Sequence, residues 1–420
     1  MSAPIDENLV ERLRQAADPD GALDLLRRAI GCESITGDEQ GFADLLAREL
    51  QLTGVESVTK RDFEPGRPNV WGVRKGRADG MNLLLVGHTD TVHVRGWREH
   101  WQGTEREDPF GAALVDGAIW GRGASDLKAG ICTAISAVRL LDRSGIRIDP
   151  TLTFGFVGDE ESGEPGSGVS AGVRAFAGMI KSGEISKPDF AIYVEPTMLD
   201  VYVAHMGFFI GEITVFGRSA YFGVPELGVD ALRAAAPVLE ALWQVSEGMG
   251  KGRKHPLVGH GFVLVTGLNG GGYIAVPGEC RISYICKILP GDDLEAAKDG
   301  IEAAVRAAIT HPEISLSFEY PAMRDHPIGG TPFESIGGEE TIEQLVSAVQ
   351  AVRPGRGKIE AAPYWSEQPF LASLGIPGVY FAPGDIRICH TLHENVIVQD
   401  YLDGIIALAA FLATCSPPAR

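Results

Sequence analysis

Three short stretches of the chain, 82–86, 152–157 and 190–194, are apolar almost without interruption. A strand with one wet face alternates apolar and polar residues. A continuous apolar run of this length therefore reads as a strand covered on both faces, as in a parallel sheet. Between the first two runs, 127–141 spaces its apolar residues as a helix does and begins directly after Ser125-Asp126, a helix-start signal. Segments 9–29 and 41–52 also read as amphipathic helices. Strands alternating with helices predict an α/β domain built on a mostly parallel sheet.

The pattern changes near residue 204. Segment 208–215 alternates like a half-exposed strand, 228–244 is helical, 262–267 and 280–289 read as strands, and 292–308 reads as a helix. This order fits a small α+β module with a one-sided antiparallel sheet. A glycine-rich loop at 329–338 follows, then a helix at 339–352, a strand at 378–381 and a terminal helix. The expectation is one α/β domain, 1–203 with 316–420, interrupted by an inserted module at 204–315. No internal repeat and no low-complexity segment is visible.

Composition narrows the function classes. The 420 residues carry a net charge of −19, which repels phosphate backbones and excludes nucleic acid as an expected partner. The apolar stretch 405–412 is too short for a membrane span, so no membrane partner is expected. The first fifteen residues carry Asp6, Glu7 and Glu11 and no apolar core of a secretory signal. The six cysteines are scattered, with no Cys-x-x-Cys pair, as expected of buried thiols in a reducing, cytoplasmic compartment.

The apolar runs also end in a common way. Segment 83–90 reads Leu-Leu-Leu-Val-Gly-His-Thr-Asp, which puts His88 at the carboxyl end of a buried strand, where open α/β sheets hold ligands. Asp90, two residues on, would point the same way in extended backbone and could fix the second imidazole nitrogen, as metal-bound histidines require. A histidine that merely caps the strand would read the same. Segment 121–130, Gly-Arg-Gly-Ala-Ser-Asp-Leu-Lys-Ala-Gly, permits a tight loop before a helix. Its Asp126 is either a helix cap or a bridging metal carboxylate. Segment 154–161 ends in Asp159-Glu160-Glu161. A solvated loop tolerates three adjacent acids, whereas a cation would offset their repulsion. One acid could then bind metal while its neighbour takes a proton from activated water. Glu195 stands just past the third run, and His390 lies in Cys-His-Thr-Leu-His-Glu at 389–394; each alone could be an ordinary loop residue. Together, two histidines and three carboxylates, one of them bridging, suit paired Zn²⁺, Co²⁺ or Mn²⁺.

These stretches resemble the aminoacylase, carboxypeptidase and deacetylase family of metallopeptidases, which includes acetylornithine deacetylase and succinyl-diaminopimelate desuccinylase. The matching segments are GHTDTV at 87–92, GRGASDLKAG at 121–130, DEES at 159–162, VEPT at 194–197 and CHTLHENV at 389–396. They run in the family's order over most of the chain. The resemblance implies a zinc-peptidase-like catalytic domain and, at 204–315, a lid and dimerisation domain. It implies that His88 binds one metal, His390 the other, that Asp126 bridges them and that Glu161 and Glu195 complete the set. Glu160 would be the general base and Asp90 would orient His88. His393 falls where the family usually has an acid, which leaves His390 the better ligand. A small-molecule substrate and at least a homodimer are implied as well.

The chain departs from the family around the substrate. Tyr221 stands where a lid histidine is usual, Ile274 where an asparagine is usual, Lys287 in place of an arginine, and Ser366-Glu367 in place of Thr-Asp. Tyr221 donates a hydrogen bond but has no positive charge at neutral pH. Lys287 keeps the charge and loses the planar fork. His205 is a candidate substitute for the lid histidine. The expected activity is hydrolysis of a carbon–nitrogen bond in a small carboxylate-bearing molecule, with N-acyl amino acids and dipeptides first. One alternative is hydrolytic deamination of an activated aromatic amine, as in a nitroanthranilate aminohydrolase; Tyr221, Phe222, Tyr273 and Ile274 would suit a flat ring or simply pack the lid. Another is a metal-binding relative without catalysis, against which the intact Glu160 argues.

Overall fold

The computed structural model describes residues 5–76, 80–161, 168–271 and 274–415; Tyr273, and Ser162 of the DEES motif, lie outside the described residues. The chain forms two compact units. The first comprises Met1–Val203, Ser335–Ala361 and Ser366–Arg420, the second Ala204–Glu334 and Ala362–Trp365.

The first unit is built on a mixed sheet whose four central strands are parallel. In spatial order these are Thr151–Val157, Asn82–His88, Phe190–Tyr193 and Gly378–Tyr380. Ser57–Glu64 and Arg67–Arg74 extend one side in antiparallel fashion. The parallel strands are the apolar runs of the sequence, and nearly every residue in them is buried. Because they are parallel and in register, with His88 opposite Val157, their carboxyl ends fall along one edge. The acids and histidines that follow them are thereby gathered.

Helix Ala129–Ser144 packs against the Asn82–His88 strand and against the terminal helix Val398–Thr414. Its sides are buried almost all round, as expected of a helix enclosed by neighbours. It stops at Gly145, held at φ 67, the left-handed position that glycine adopts without steric cost. At its start, Gly130 sits directly on the end of a strand: a Cβ there would lie 2.0 Å from the Val194 carbonyl oxygen. Helix propensity alone favours alanine at such a position. Gly130→Ala is nevertheless expected to destabilise the protein by about 1–3 kcal/mol through overpacking, read as a lowered urea midpoint. A raised midpoint would show that this contact is not tight.

The second unit is an antiparallel sheet in the order Phe262–Gly270, Glu279–Ile288, Gly207–Phe216, Ser315–Glu319. Gly207–Phe216 alternates buried and half-buried residues along its length. Its inner positions, including Phe209, Ile213 and Val215, join Ile282 and Tyr284 of the neighbouring strand. Ala235, Val238 and Leu242 of helix Ala231–Lys251 and Ile301 and Val305 of helix Leu294–Ala308 complete one core. The expected module boundary at 315 moves. Ser315–Glu319 pairs with Gly207–Phe216, as does Gly329–Gly330, so the unit runs on to Glu334 and also takes in Ala362–Trp365. The sequence reading missed this edge strand, which is short and only half-buried.

All six cysteines are free. No helix among the described residues is long and apolar enough to cross a membrane.

Candidate metal centre

The site is assembled at the carboxyl edge of the parallel strands. His88 is the last residue of its strand. Its Nε2 lies 3.0 Å from Asp126 Oδ1 and 3.8 Å from Glu195 Oε1. The other oxygen of Asp126 lies 3.1 Å from His390 Nε2, which is also 2.9 Å from Glu161 Oε1. Asp126 thus offers one oxygen to each histidine. Three three-membered ligand groups result; His88–Asp126–Glu195 and Asp126–Glu161–His390 share Asp126, and the third is His88–Glu160–Glu161. Asp126 makes no side-chain helix cap; its φ of −120 and ψ of 92 are extended, the peptide bond to Leu127 is cis, and its amide is held by Glu394.

Burial divides the set. His88, Asp126, Glu161 and Glu195 are each no more than 6% exposed. The His390 side chain is 50% exposed, and its backbone is held at φ 62, a left-handed conformation uncommon outside glycine.

Asp90 corrects an expectation. The second nitrogen of His88, Nδ1, lies 3.0 Å from the backbone oxygen of Asp90, whereas the Asp90 carboxylate is 3.7 Å away. The strand ends at His88, and the Thr89 amide still donates to the Val157 carbonyl of the neighbouring strand at 2.7 Å. The Asp90 carboxylate instead accepts the amides of Glu160 at 3.2 Å and Glu161 at 2.9 Å, and the Thr36 hydroxyl at 3.0 Å. It clamps the loop that carries the acids, while its carbonyl faces the histidine.

The electrostatics call for positive charge. Burial pushes the Glu195 carboxyl well above its usual range, and the charges of Asp126 and Glu160 add to this. Burial raises Glu161 as well, reinforced by Asp126. Burial also opposes charge on the histidines, but the hydrogen bonds to Asp126 and Glu161 outweigh it at His390 and hold its imidazolium up to about 11. His88 is raised well above its usual value for the same kind of reason, through Asp126 and Glu195. Protons are thus drawn onto both rings by crowded carboxylates. A cation answers the same demand, so the donor set, with its imidazole and carboxylate atoms, fits divalent metal.

The remaining expected site residues fall in three places. Ser366 is fully buried and its hydroxyl donates to Glu195 Oε1 at 2.7 Å. Glu367 is fully buried and accepts the Tyr193 hydroxyl at 2.7 Å. Burial and the nearby Glu160 charge push Glu367 up to about 8. Tyr221, Ile274 and Lys287 belong to the second unit. Tyr221 and Phe222 are exposed, their rings 4.5 Å apart, beside a two-residue ribbon in which Tyr221 pairs with Ala275. Ile274 is exposed at the start of that ribbon's other strand. Lys287 lies elsewhere, opposite Phe262 at the far end of the sheet from the Gly270–Cys280 pair. Its ammonium is 5.5 Å from the Phe208 ring, and burial lowers it to about 8. The three residues do not form one cluster within the unit. His205 is fully buried, its ring between Phe333 and Trp365, and it offers no exposed replacement for the lid histidine.

Sequence reading overlooked Thr36, which ties Asp90 to the Glu161 carbonyl. It named Asp159 among three adjacent acids without giving it a role of its own. That carboxylate is fully buried and accepts Arg67 Nη2 at 2.9 Å and the amides of Gly168, Val169 and Ala171. The acid triplet thus divides its labour: one member shapes the loop and two face the site.

A sheet with four parallel central strands and two His/Asp/Glu groups sharing Asp126 at its carboxyl edge define the architecture of a metal-dependent hydrolase. The profile of peptidase family M20/M25/M40 matches residues 84–414, and the chain belongs to that family. It is a metal-dependent hydrolase acting on carbon–nitrogen bonds. It is 26% identical over 392 residues to a succinyl-diaminopimelate desuccinylase of Polynucleobacter necessarius subsp. necessarius, covering 90% of this chain and 94% of the relative. It is 28% identical over 369 residues to an acetylornithine deacetylase of Vibrio campbellii, covering 83% and 85%. The fold is shared with human carnosine dipeptidase 1 at a TM-score of 0.72, with 14% identity and coverage of 98% and 99%. An M20 family metallo-carboxypeptidase of Sulfolobus solfataricus also matches at 0.72, with 17% identity and coverage of 94% and 99%.

Proposed function

We propose that the protein hydrolyses the amide bond of a small, carboxylate-bearing N-acyl amino acid or dipeptide, with Glu160 as general base. The observation that carries this is the pair of ligand groups sharing Asp126, with Glu160 left beside them. His88, Asp126 and Glu195 would hold one ion, and Asp126, Glu161 and His390 the other. Zn²⁺, Mn²⁺ or Co²⁺ bound there supplies carbonyl polarisation and water activation near neutral pH. Glu160 is half-buried, so it reaches both the site and the solvent from which its proton is exchanged. It takes the proton from the attacking water and returns it to the leaving nitrogen. Asp90 fixes the Glu160 amide at 3.2 Å, which limits where that carboxylate can sit. Ser366 holds Glu195 in one orientation. The names of the relatives, a desuccinylase and a deacetylase, put N-acyl diamino acids at the head of the substrate class.

The test is a screen of N-succinyl and N-acetyl amino acids, dipeptides and activated aromatic amines, with Mn²⁺, Co²⁺ and Zn²⁺ added separately and amine release measured. Turnover of an N-acyl amino acid or dipeptide is expected. Turnover confined to aromatic amines would overturn the amide assignment. We also read the second unit as a face for a second copy: Phe262, Leu264 and Leu268 are exposed on its edge strand. Light scattering of the purified chain should give at least a dimer mass, and a monomer would refute this. The free cysteines support a reducing, cytoplasmic setting.

A further inference from the structure

The ion pair of Arg122 and Glu394 lies outside both ligand groups, yet Arg122 is 2% exposed and Glu394 is not exposed at all. A buried pair of this kind adds little net stability over apolar residues of the same volume, so its presence asks for a geometric reason. Glu394 Oε1 accepts the amides of Ser125 at 3.2 Å and Asp126 at 3.1 Å, and its other oxygen accepts Arg122 Nη1. Its backbone oxygen accepts the Gly121 amide at 3.2 Å. Arg122 Nη2 donates to the Thr391 carbonyl at 3.2 Å, and the Ser125 hydroxyl donates to the Asn395 carbonyl at 2.7 Å. The Asp385 amide donates back to that hydroxyl at 3.2 Å.

Each of these bonds joins the loop of Asp126 to the loop of His390, which are 264 residues apart in sequence. The strand pairing nearby, Ala118–Trp120 with Asn395–Ile397, stops short of both ligand residues. His88 ends a central strand, and Glu161 and Glu195 follow two others closely. His390 has no such support; it follows a single 3-10 turn, Ile386–Ile388, and is half-exposed.

We propose that Glu394, locked by Arg122, is the positioning residue for the more exposed metal position, Asp126–Glu161–His390. It sets the Asp126 backbone from one side and the His390 loop from the other. The inference rests on the dinuclear reading above. Outer partners of metal ligands typically change affinity by roughly 10–100-fold when altered.

The test titrates metal-free protein with Zn²⁺ against a competing chelator of known affinity. The unaltered protein is expected to take two ions. Glu394→Gln, close in shape, is expected to bind the second ion roughly 10–100-fold more weakly and the first, which shares Asp126, with a smaller loss, the fold being checked by circular dichroism. Arg122→Lys should act in the same direction, and it carries the test if Glu394→Gln does not fold. Glu49→Gln is the control for a merely structural effect. It removes a buried carboxylate held by Arg28 and Arg139 and should leave both affinities unchanged. Two unaltered affinities in the Glu394 and Arg122 variants, or equal weakening at both positions, would overturn the proposal. An unaltered protein that binds fewer than two ions would instead sink the dinuclear reading.

Discussion

At full metal loading and saturating substrate, Glu160→Gln is expected to turn over about 10²–10⁴-fold more slowly than the unaltered protein. The change keeps size and hydrogen bonding and removes only the ability to take a proton. The expected signature is a fall in kcat with KM nearly constant, because substrate binding does not use that proton. Glu160 also lies within reach of His88 and Glu161 as a third conceivable ligand group, so its role as base needs separation from a role as ligand. Metal content separates them. His88 Nε2 already faces Asp126 at 3.0 Å, and Glu160 is the one half-buried acid among buried ones. Glu160→Gln should therefore retain both ions. Loss of an ion would make Glu160 a ligand, and retained turnover with both ions bound would remove it from the proton pathway.

The sequence revealed those parts of this site that depend on local pattern. Continuous apolar runs marked the parallel strands, and the residues following them, His88, Glu160, Glu161 and Glu195, lie along one sheet edge because parallel strands end together. What escaped depends on contacts between distant segments. The function of Glu394 comes from amides 268 and 269 residues upstream, which no spacing rule detects, although Arg122 and Glu394 both lie within recognised motifs. The Asp90 error has a local cause. Side chains two apart align only while the strand continues, and the strand ends at His88. In sequence the departures at Tyr221, Ile274 and Lys287 read as changes around the substrate, and antiparallel register puts Lys287 at the other end of its sheet from the Gly270–Cys280 pair. Tyr221 and Lys287 should therefore be tested as independent determinants.

Removal of metal is expected to abolish turnover and to lower the thermal midpoint, with both restored by Zn²⁺, Mn²⁺ or Co²⁺. The activity loss follows from chemistry: Glu160 can accept a proton, but water without a cation nearby is a poor nucleophile at neutral pH. The stability loss follows from linkage. A ligand that binds only the folded state contributes about 2.7 kcal/mol when present at 100 times its dissociation constant. In a unit larger than about 250 residues, each kcal/mol moves the midpoint by about 2 °C or less, so a shift of a few degrees is expected for one ion and more for two. The direction follows because the cation-free site must hold the buried Asp126, Glu161 and Glu195 carboxylates together beside Glu160. Stepwise titration sharpens the test. His88, Asp126 and Glu195 are the more enclosed group, and His390 is half-exposed. The first equivalent should therefore supply most of the stabilisation and the second most of the remaining turnover. A midpoint indifferent to chelation and metal return would mean that these residues do not form a metal site, and the assignment of Glu160 as base would fall with it.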